Sequence, residues 1–286
     1  MRHRQAIAIL VVALALLAAW RGALAWLGRA AEFGESNYQA NRIRIERYLA
    51  RPKAPEYVVL GSSLSGRLRP AAFAGSALSD VAVLGLDGSS PLLGIAVLAH
   101  RADLPRVALV ETFAFNRGWK ANDQLLLDGL AGPGMRLARA DRLFAADQRP
   151  TSLLYSWFKE RRDRAGSGSG PRTNEAVRVA GPAEVPGTAA APDLSRLMED
   201  IRALRARGVE VVLVDVLAGE KRMPGERTGP DTAALVAREF GLRRIDLRRE
   251  WFARGWEPGY TDLRHLDGPS ADALARLLAE SVVRNK

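Results

Sequence analysis

The chain has 286 residues, 48% of them hydrophobic and 26% charged, a balance that supports a sizeable core and excludes disorder throughout. Its net charge of +10 comes mostly from arginines scattered along the sequence, with no unbroken basic block and no nucleic-acid motif, so no nucleic-acid partner is expected. Cysteine is absent, which excludes thiol nucleophiles, disulfides and cysteine-ligated metals but leaves the compartment open.

The chain opens with the basic tip Met1-Arg-His-Arg4, and Ala6 to Trp20 then carries no charge. Continued through Arg21 to Leu27, this run is about 33 Å long as a helix, enough to cross a bilayer. Two readings compete for residues 1–29. One is an uncleaved signal anchor, single-pass in the inner membrane with the basic tip in the cytoplasm. The other is a cleaved signal peptide, with Ala23-Leu-Ala25 as the small-residue cleavage pattern. The anchor is preferred, and either reading puts the rest of the chain in the periplasm or extracellular space. Residues 30–54 are polar and arginine-rich, with Tyr38, Ile45 and Leu49 at helical spacing; they are expected to form a helical linker to a domain at 55–286.

That domain begins with Tyr57-Val-Val-Leu-Gly-Ser-Ser-Leu-Ser-Gly-Arg-Leu68. The short apolar run to Leu60 predicts a buried strand, Gly61 a sharp turn, and Ser62, Ser63 and Ser65 the cap of a following helix. A second strand, Val81 to Leu84, runs into Gly85-Leu-Asp-Gly-Ser-Ser-Pro91, where Ser90 and Pro91 start a helix to Arg101. A third, Val107 to Val110, leads into Glu111-Thr-Phe-Ala-Phe-Asn-Arg-Gly-Trp119. Strands and helices alternating at these intervals predict a parallel sheet with right-handed crossovers.

Residues 120–193 read as an insertion, with helical pieces near Gln124 to Leu130 and Ser152 to Arg164. A Gly-Ser-Pro stretch, Ala165-Gly-Ser-Gly-Ser-Gly-Pro171, marks the insertion as a flexible lid or excursion, not a separate domain. Order resumes with a helix from Asp193 to Arg207, a strand from Val209 to Val216, a helix from Asp231 to Phe240 and a short strand near Arg244 to Leu247. An amphipathic helix with Leu274, Leu277, Leu278 and Val282 on one side closes the chain.

Just before that last helix stands Tyr260-Thr-Asp-Leu-Arg-His-Leu-Asp-Gly-Pro269. Asp262 lies three residues before His265, a spacing that lets the carboxylate hold one ring nitrogen while the other acts as a base. Of the three histidines, His3 lies in the leader and His100 ends a predicted helix, leaving His265 as the one placed for catalysis. A hydroxyl at the carboxyl end of the first strand stands where ligands of open parallel sheets bind, so the serine turn either serves a site there or only caps the following element.

The pair G-S-S-L and D-x-x-H-L, in this order, resembles the SGNH/GDSL hydrolase superfamily over roughly Pro55 to Val283. The style is closest to membrane-anchored or exported members such as alginate-acetylation proteins and the D-alanyl-transfer protein of teichoic acids. The resemblance implies an α/β, flavodoxin-like three-layer sandwich around a parallel sheet, preceded here by a transmembrane helix. It also implies a Ser63–His265–Asp262 triad, with an oxyanion hole drawn from the Ser63 amide, a second-block glycine and a third-block asparagine. Gly88 is the candidate glycine, with Gly85 next, and Asn116 the candidate asparagine. The family's Gly-x-Asn-Asp is missing after the third strand, so Asn116 is offset and is balanced against a turn role. Ser62, Ser89 and Ser90 are read as turn or cap residues in preference to alternative nucleophiles, and Glu111 as a solvated loop carboxylate in preference to a substrate contact.

The function expected from this resemblance is a serine esterase or O-acyltransferase acting on acetyl esters of a cell-surface or extracellular polysaccharide. A membrane acyl-donor protein is a further candidate partner, and no metal or organic cofactor is implied. The alternatives are a non-catalytic envelope protein that binds polysaccharide or scaffolds its synthesis and, less favoured, a secreted lipase.

Overall fold

The computed structural model describes residues 2–28, 30–165, 194–219, 229–262 and 264–284. Five strands, β1 (Tyr57–Gly61), β2 (Val81–Gly85), β3 (Val107–Glu111), β4 (Glu210–Asp215) and β5 (Arg243–Asp246), form one sheet in the order β2-β1-β3-β4-β5. Every pairing is parallel. The chain therefore adds strands first to one side of β1 and then to the other, which makes the β1/β3 boundary a switch point of the kind where such sheets bind ligands. This order is consistent with a flavodoxin-like fold.

The strands are short apolar runs because both faces of the sheet are covered, and alternate residues serve opposite cores. Val58, Leu60, Leu84, Val110 and Leu213 point into one core. Tyr57, Val59, Leu109, Val212, Val214 and Ile245 point into the other. The first core is closed by α2 (Asn37–Leu49), α3 (Pro91–Leu98), α4 (Ala121–Ala131), α5 (Pro133–Ala140), α7 (Leu194–Ala206) and α8 (Gly229–Phe240). The second is closed by α9 (Leu247–Ala253), α10 (Gly268–Arg284) and the segment carrying Leu64, Leu68, Phe73 and Leu78.

Three expectations are corrected here. No α-helix follows Gly61; two 3-10 turns, Ser65–Arg67 and Pro70–Phe73, take its place. Pro70 keeps Arg69 extended (φ −86°, ψ 131°), and the serines have other partners, described below.

The segment expected to be a linker is instead built into the domain. On α2, Ile45, Tyr48 and Leu49 enter the first core. The arginines that made it look solvated are tied down in turn. Arg44 pairs with Asp87 at 2.9 Å and donates to the Gly85 carbonyl, Arg47 pairs with buried Asp147 at 2.9 Å, and Arg42 holds buried Glu46 at 2.7 Å.

The region after Lys120 is also not an excursion in its first half. Leu126, Leu127, Leu130 and Met135 complete the first core, and α6 (Pro150–Ala165) follows. The Gly-Ser-Pro stretch expected to form a lid lies outside the described residues.

Burial of α2 has a titratable marker. Desolvation pushes the Tyr48 phenol up to about 12, against the smaller opposing pull of the neighbouring Arg101 guanidinium. A raised folded pKa means stability present below pH 10 and lost as pH climbs towards 12, by up to about 3 kcal/mol. Melting temperature followed from pH 9 to 12 should fall in the wild type, and Tyr48→Phe should lack that component. Equal falls in both proteins would mean that Tyr48 is not buried against the core.

At the amino end, α1 (Arg2–Leu27) is about 39 Å long, and none of its apolar window is fully buried by the domain. It is long and apolar enough to span a membrane or to act as a signal sequence. Its final turns touch the domain. Trp20 and Leu24 pack against the small core of Ala31, Ile43, Ala146 and Leu153, and Arg21 pairs with Asp141 at 2.9 Å.

Candidate active site

The carboxyl edge of the sheet gathers four chain segments. The turn after β1 carries Ser62, Ser63 and Ser65. Ser62 and Ser65 are buried while Ser63 remains partly exposed, so the middle hydroxyl is the one offered to solvent.

The reason lies in Glu111, the last residue of β3, which is 1% exposed. One carboxylate oxygen accepts the Ser62 hydroxyl at 2.6 Å. The other accepts the Ser65 hydroxyl at 2.6 Å and the Ser62 and Ser65 amides at 2.9 and 3.2 Å. Glu111 is thus the internal clamp of this turn, a correction to its assignment as a solvated loop residue. Gly61 is what admits the clamp: a Cβ there would collide with the Glu111 carboxylate and the Ser65 hydroxyl. A run of five buried strand residues ending in Glu was the available signal, because a charged residue closing such a strand needs donors nearby.

The second segment, residues 260–266, is closed by a bridge between Tyr260 and Leu266 and by the Thr261 amide bonding the His265 carbonyl at 2.9 Å. Asp262 folds it from within. One carboxylate oxygen accepts the Arg264 and His265 amides at 2.8 and 2.7 Å, and the other receives His265 Nδ1 at 2.8 Å. The loop is fastened to the start of α10 through Gly259 and Ser270 (2.8 Å), and to the loop after β4 through the Gly219 amide and the Arg264 carbonyl (3.0 Å).

His265 Nε2 stands 2.9 Å from Ser63 Oγ, across 202 residues of sequence. The three residues expected to form the catalytic set are therefore in one hydrogen-bonded line, Ser63–His265–Asp262. With Nδ1–H donating to a carboxylate, Nε2 is left as the acceptor for the serine proton.

Burial by itself raises the Asp262 carboxyl. The bonds from the His265 ring and from the His265 and Arg264 amides outweigh it and hold the group below the usual carboxylate range. A lowered folded pKa contributes stability that is complete above the unfolded value of about 3.9 and lost as pH falls through the folded one. In an acid titration of melting temperature, the wild type should show this component below about pH 4 and Asp262→Asn should not. Superimposable curves would remove the carboxylate from its assigned place.

The loops after β2 and β3 complete the edge. The Leu86 amide bonds the Gly61 carbonyl at 2.7 Å, two residues from Gly88 on one side and two from Ser63 on the other. Among the described residues, neither the Ser63 nor the Gly88 amide donates to a protein acceptor, so both are available to a ligand. Gly88 adopts φ +74°, a conformation glycine tolerates best, and its missing side chain leaves space beside Asn37 and Lys120.

Gly85 serves a different purpose. It is paired in the sheet with Gly61, and a Cβ there would strike the Gly66 backbone, so it allows close packing under the serine turn. Asn116 is half-buried in the loop after β3, next to Arg117, whose guanidinium donates to the Ser89 carbonyl at 3.1 Å and so ties this loop to that of Gly88.

Ser89 and Ser90 keep the roles read for them. Ser90 caps α3, and Ser89 donates at 2.6 Å to Asp123, whose carboxyl burial pushes upward. Among the described residues, no group of three His, Cys, Asp or Glu side chains is placed to hold a metal ion.

The edge thus defines a parallel α/β domain bearing a Ser-His-Asp constellation. Comparison with protein-family models, with curated protein sequences and with solved structures returns no match.

Proposed function

We propose that this chain is a membrane-anchored serine esterase or O-acyltransferase of SGNH type, whose substrates are acetyl esters of a cell-surface or extracellular polysaccharide. The observation that carries the chemical part of this reading is the Ser63–His265–Asp262 line, with bonds of 2.9 and 2.8 Å. A serine that only shaped a turn would have no need of an oriented imidazole. The anchor rests on α1, and the polysaccharide on resemblance to exported acyl-handling members of that family.

In the proposed reaction Ser63 Oγ attacks the acyl carbonyl carbon while His265 Nε2 takes the hydroxyl proton. Asp262 keeps the ring oriented and stabilises the imidazolium. The tetrahedral oxyanion falls to the amides of Ser63 and Gly88, with Asn116 as a side-chain donor. Collapse expels the alcohol oxygen, which receives the proton from His265, and leaves an ester on Ser63. Water or a sugar hydroxyl then attacks that ester while His265 takes its proton. The second tetrahedral intermediate expels Ser63 Oγ, which regains the proton from His265, and the identity of the acceptor distinguishes hydrolysis from transfer.

The full chain should be labelled covalently by a fluorophosphonate and should release nitrophenol from an aryl acetate. Asp262→Asn should retain the fold and lose on the order of 10⁴ in kcat, since the wrong tautomer of His265 would be favoured. A folded chain that neither labels nor turns over would refute the enzymatic reading.

A further inference from the structure

We propose that α6 is a second membrane contact, its exposed aromatic arc lying in the headgroup layer of the bilayer that α1 crosses. This rests on the reading of α1 as a retained anchor. Successive residues of a helix are about 100° apart, so the sides of α6 can be assigned.

Ser152 and Ser156 face the domain, and Ser156 exchanges hydrogen bonds with the Phe33 backbone at 2.9 and 3.0 Å. Leu153 sits at the margin and packs in the same small core as Trp20 and Leu24 of α1. Continuing round from Leu153, away from the domain, come Trp157, Arg161, Leu154 and Phe158 in angular order. The three large apolar side chains are 39, 55 and 57% exposed. The Trp157 and Phe158 rings meet edge to face at 4.8 Å, and the Arg161 guanidinium lies 5.3 Å from the centre of the Trp157 ring.

Single exposed apolar residues are ordinary, but a contiguous arc of Trp, Phe and Leu with a cation over one ring has the composition of a bilayer interface. Its position selects the occupant. Contacts with the domain begin at Trp20, and Arg21 is held by Asp141. The span left to hydrocarbon is then His3 to Trp20, about 27 Å, near the short end for a crossing helix. An anchor this short, gripped by the domain at its last turns, draws the domain down to the surface. The arc adjoins the grip, and a chain of net charge +10 is attracted to anionic lipid.

The docking would also orient the proposed active site. The side of α6 that bears Tyr155 and Lys159 walls a cavity of about 220 Å³ shared with Asn37, Arg44 and Asp87, the residue before Gly88. That cavity would then lie about one helix diameter, roughly 10 Å, from the headgroups, beside the loop that carries Gly88.

The absence of cysteine makes the test direct. Single cysteines at Leu154, Phe158 and the control position Leu235 would each carry a nitrobenzoxadiazole label. The full chain would be reconstituted in phosphatidylethanolamine–phosphatidylglycerol vesicles. The α6 labels should be blue-shifted, quenched by lipids brominated near the headgroup and shielded from aqueous iodide, while the control should show the reverse.

Labels at 154 and 158 that iodide quenches like the control, on a chain of intact mass, would overturn the docking while leaving the anchor. Labels shielded from both quenchers would also overturn it, because a protein surface would then cover α6. A mature mass lacking the first 25 or so residues would remove the anchor reading, and the docking with it. None of these outcomes bears on the esterase chemistry, which is read separately by turnover of the aryl acetate.

Discussion

Replacing Glu111 by alanine should destabilise the domain by on the order of 3–5 kcal/mol and disable the serine turn together with it. Each orphaned buried donor costs about 1–3 kcal/mol, and Glu111→Ala would strand two amides and two hydroxyls, some of which regain water in the vacated space. That is a large fraction of the stability of an ordinary domain, roughly 5–15 kcal/mol. In urea the midpoint should fall with little change of slope, as for a loss of native interactions.

Glu111→Gln separates the clamp's geometry from its charge. The amide keeps the volume and one acceptor, and a serine hydroxyl can turn to accept from its NH₂ group. Its midpoint should therefore lie between those of the wild type and the alanine variant. Among the described residues Glu111 makes no salt bridge, so these hydrogen bonds account for how its burial is tolerated. An alanine variant as stable as the wild type would mean that the turn stands without the clamp.

The second large effect concerns the chemistry. Under the proposed mechanism, Ser63→Ala and His265→Ala should each lower turnover of an aryl acetate by on the order of 10⁴–10⁶, because nucleophile and base would act as a unit and their losses would not be additive. The double variant should be no worse than either single one. Fluorophosphonate labelling should vanish in Ser63→Ala. Ser62→Ala should instead resemble a mild Glu111 defect, reduced in stability but still labelled, since its hydroxyl faces inward. Labelling retained in Ser63→Ala would move the nucleophile elsewhere and dissolve the proposed triad.

Much of this could be read from local pattern. The strands were legible because a parallel sheet covered on both faces demands short, continuous apolar runs, and Tyr57–Leu60, Val81–Leu84 and Val107–Val110 are such runs. The pairing of Asp262 with His265 was legible because it is local: three residues of spacing bring the carboxylate to the ring within one loop.

Ser63 was singled out by resemblance among three neighbouring serines. What sets it apart physically is burial, which consumes the hydroxyls of Ser62 and Ser65 and spares the one between. No spacing rule reveals that, because the agent, Glu111, lies 49 residues from Ser62 on another strand.

The sequence by itself determined the alternation of strands and helices, the apolar leader and the local acid–base pair, all of which follow from periodicity and short-range contact. Tertiary structure alone decided the rest. It turned the arginines of α2 from apparent solvation into ties to Asp87, Asp147 and Glu46, and it drew α4 and α5 into the core. It also brought Ser63 to His265 across 202 residues. The physical reason is the same each time: whether a charge or hydroxyl lies in water or in a buried bond depends on what distant chain packs against it, and hydropathy along the chain carries no record of that partner.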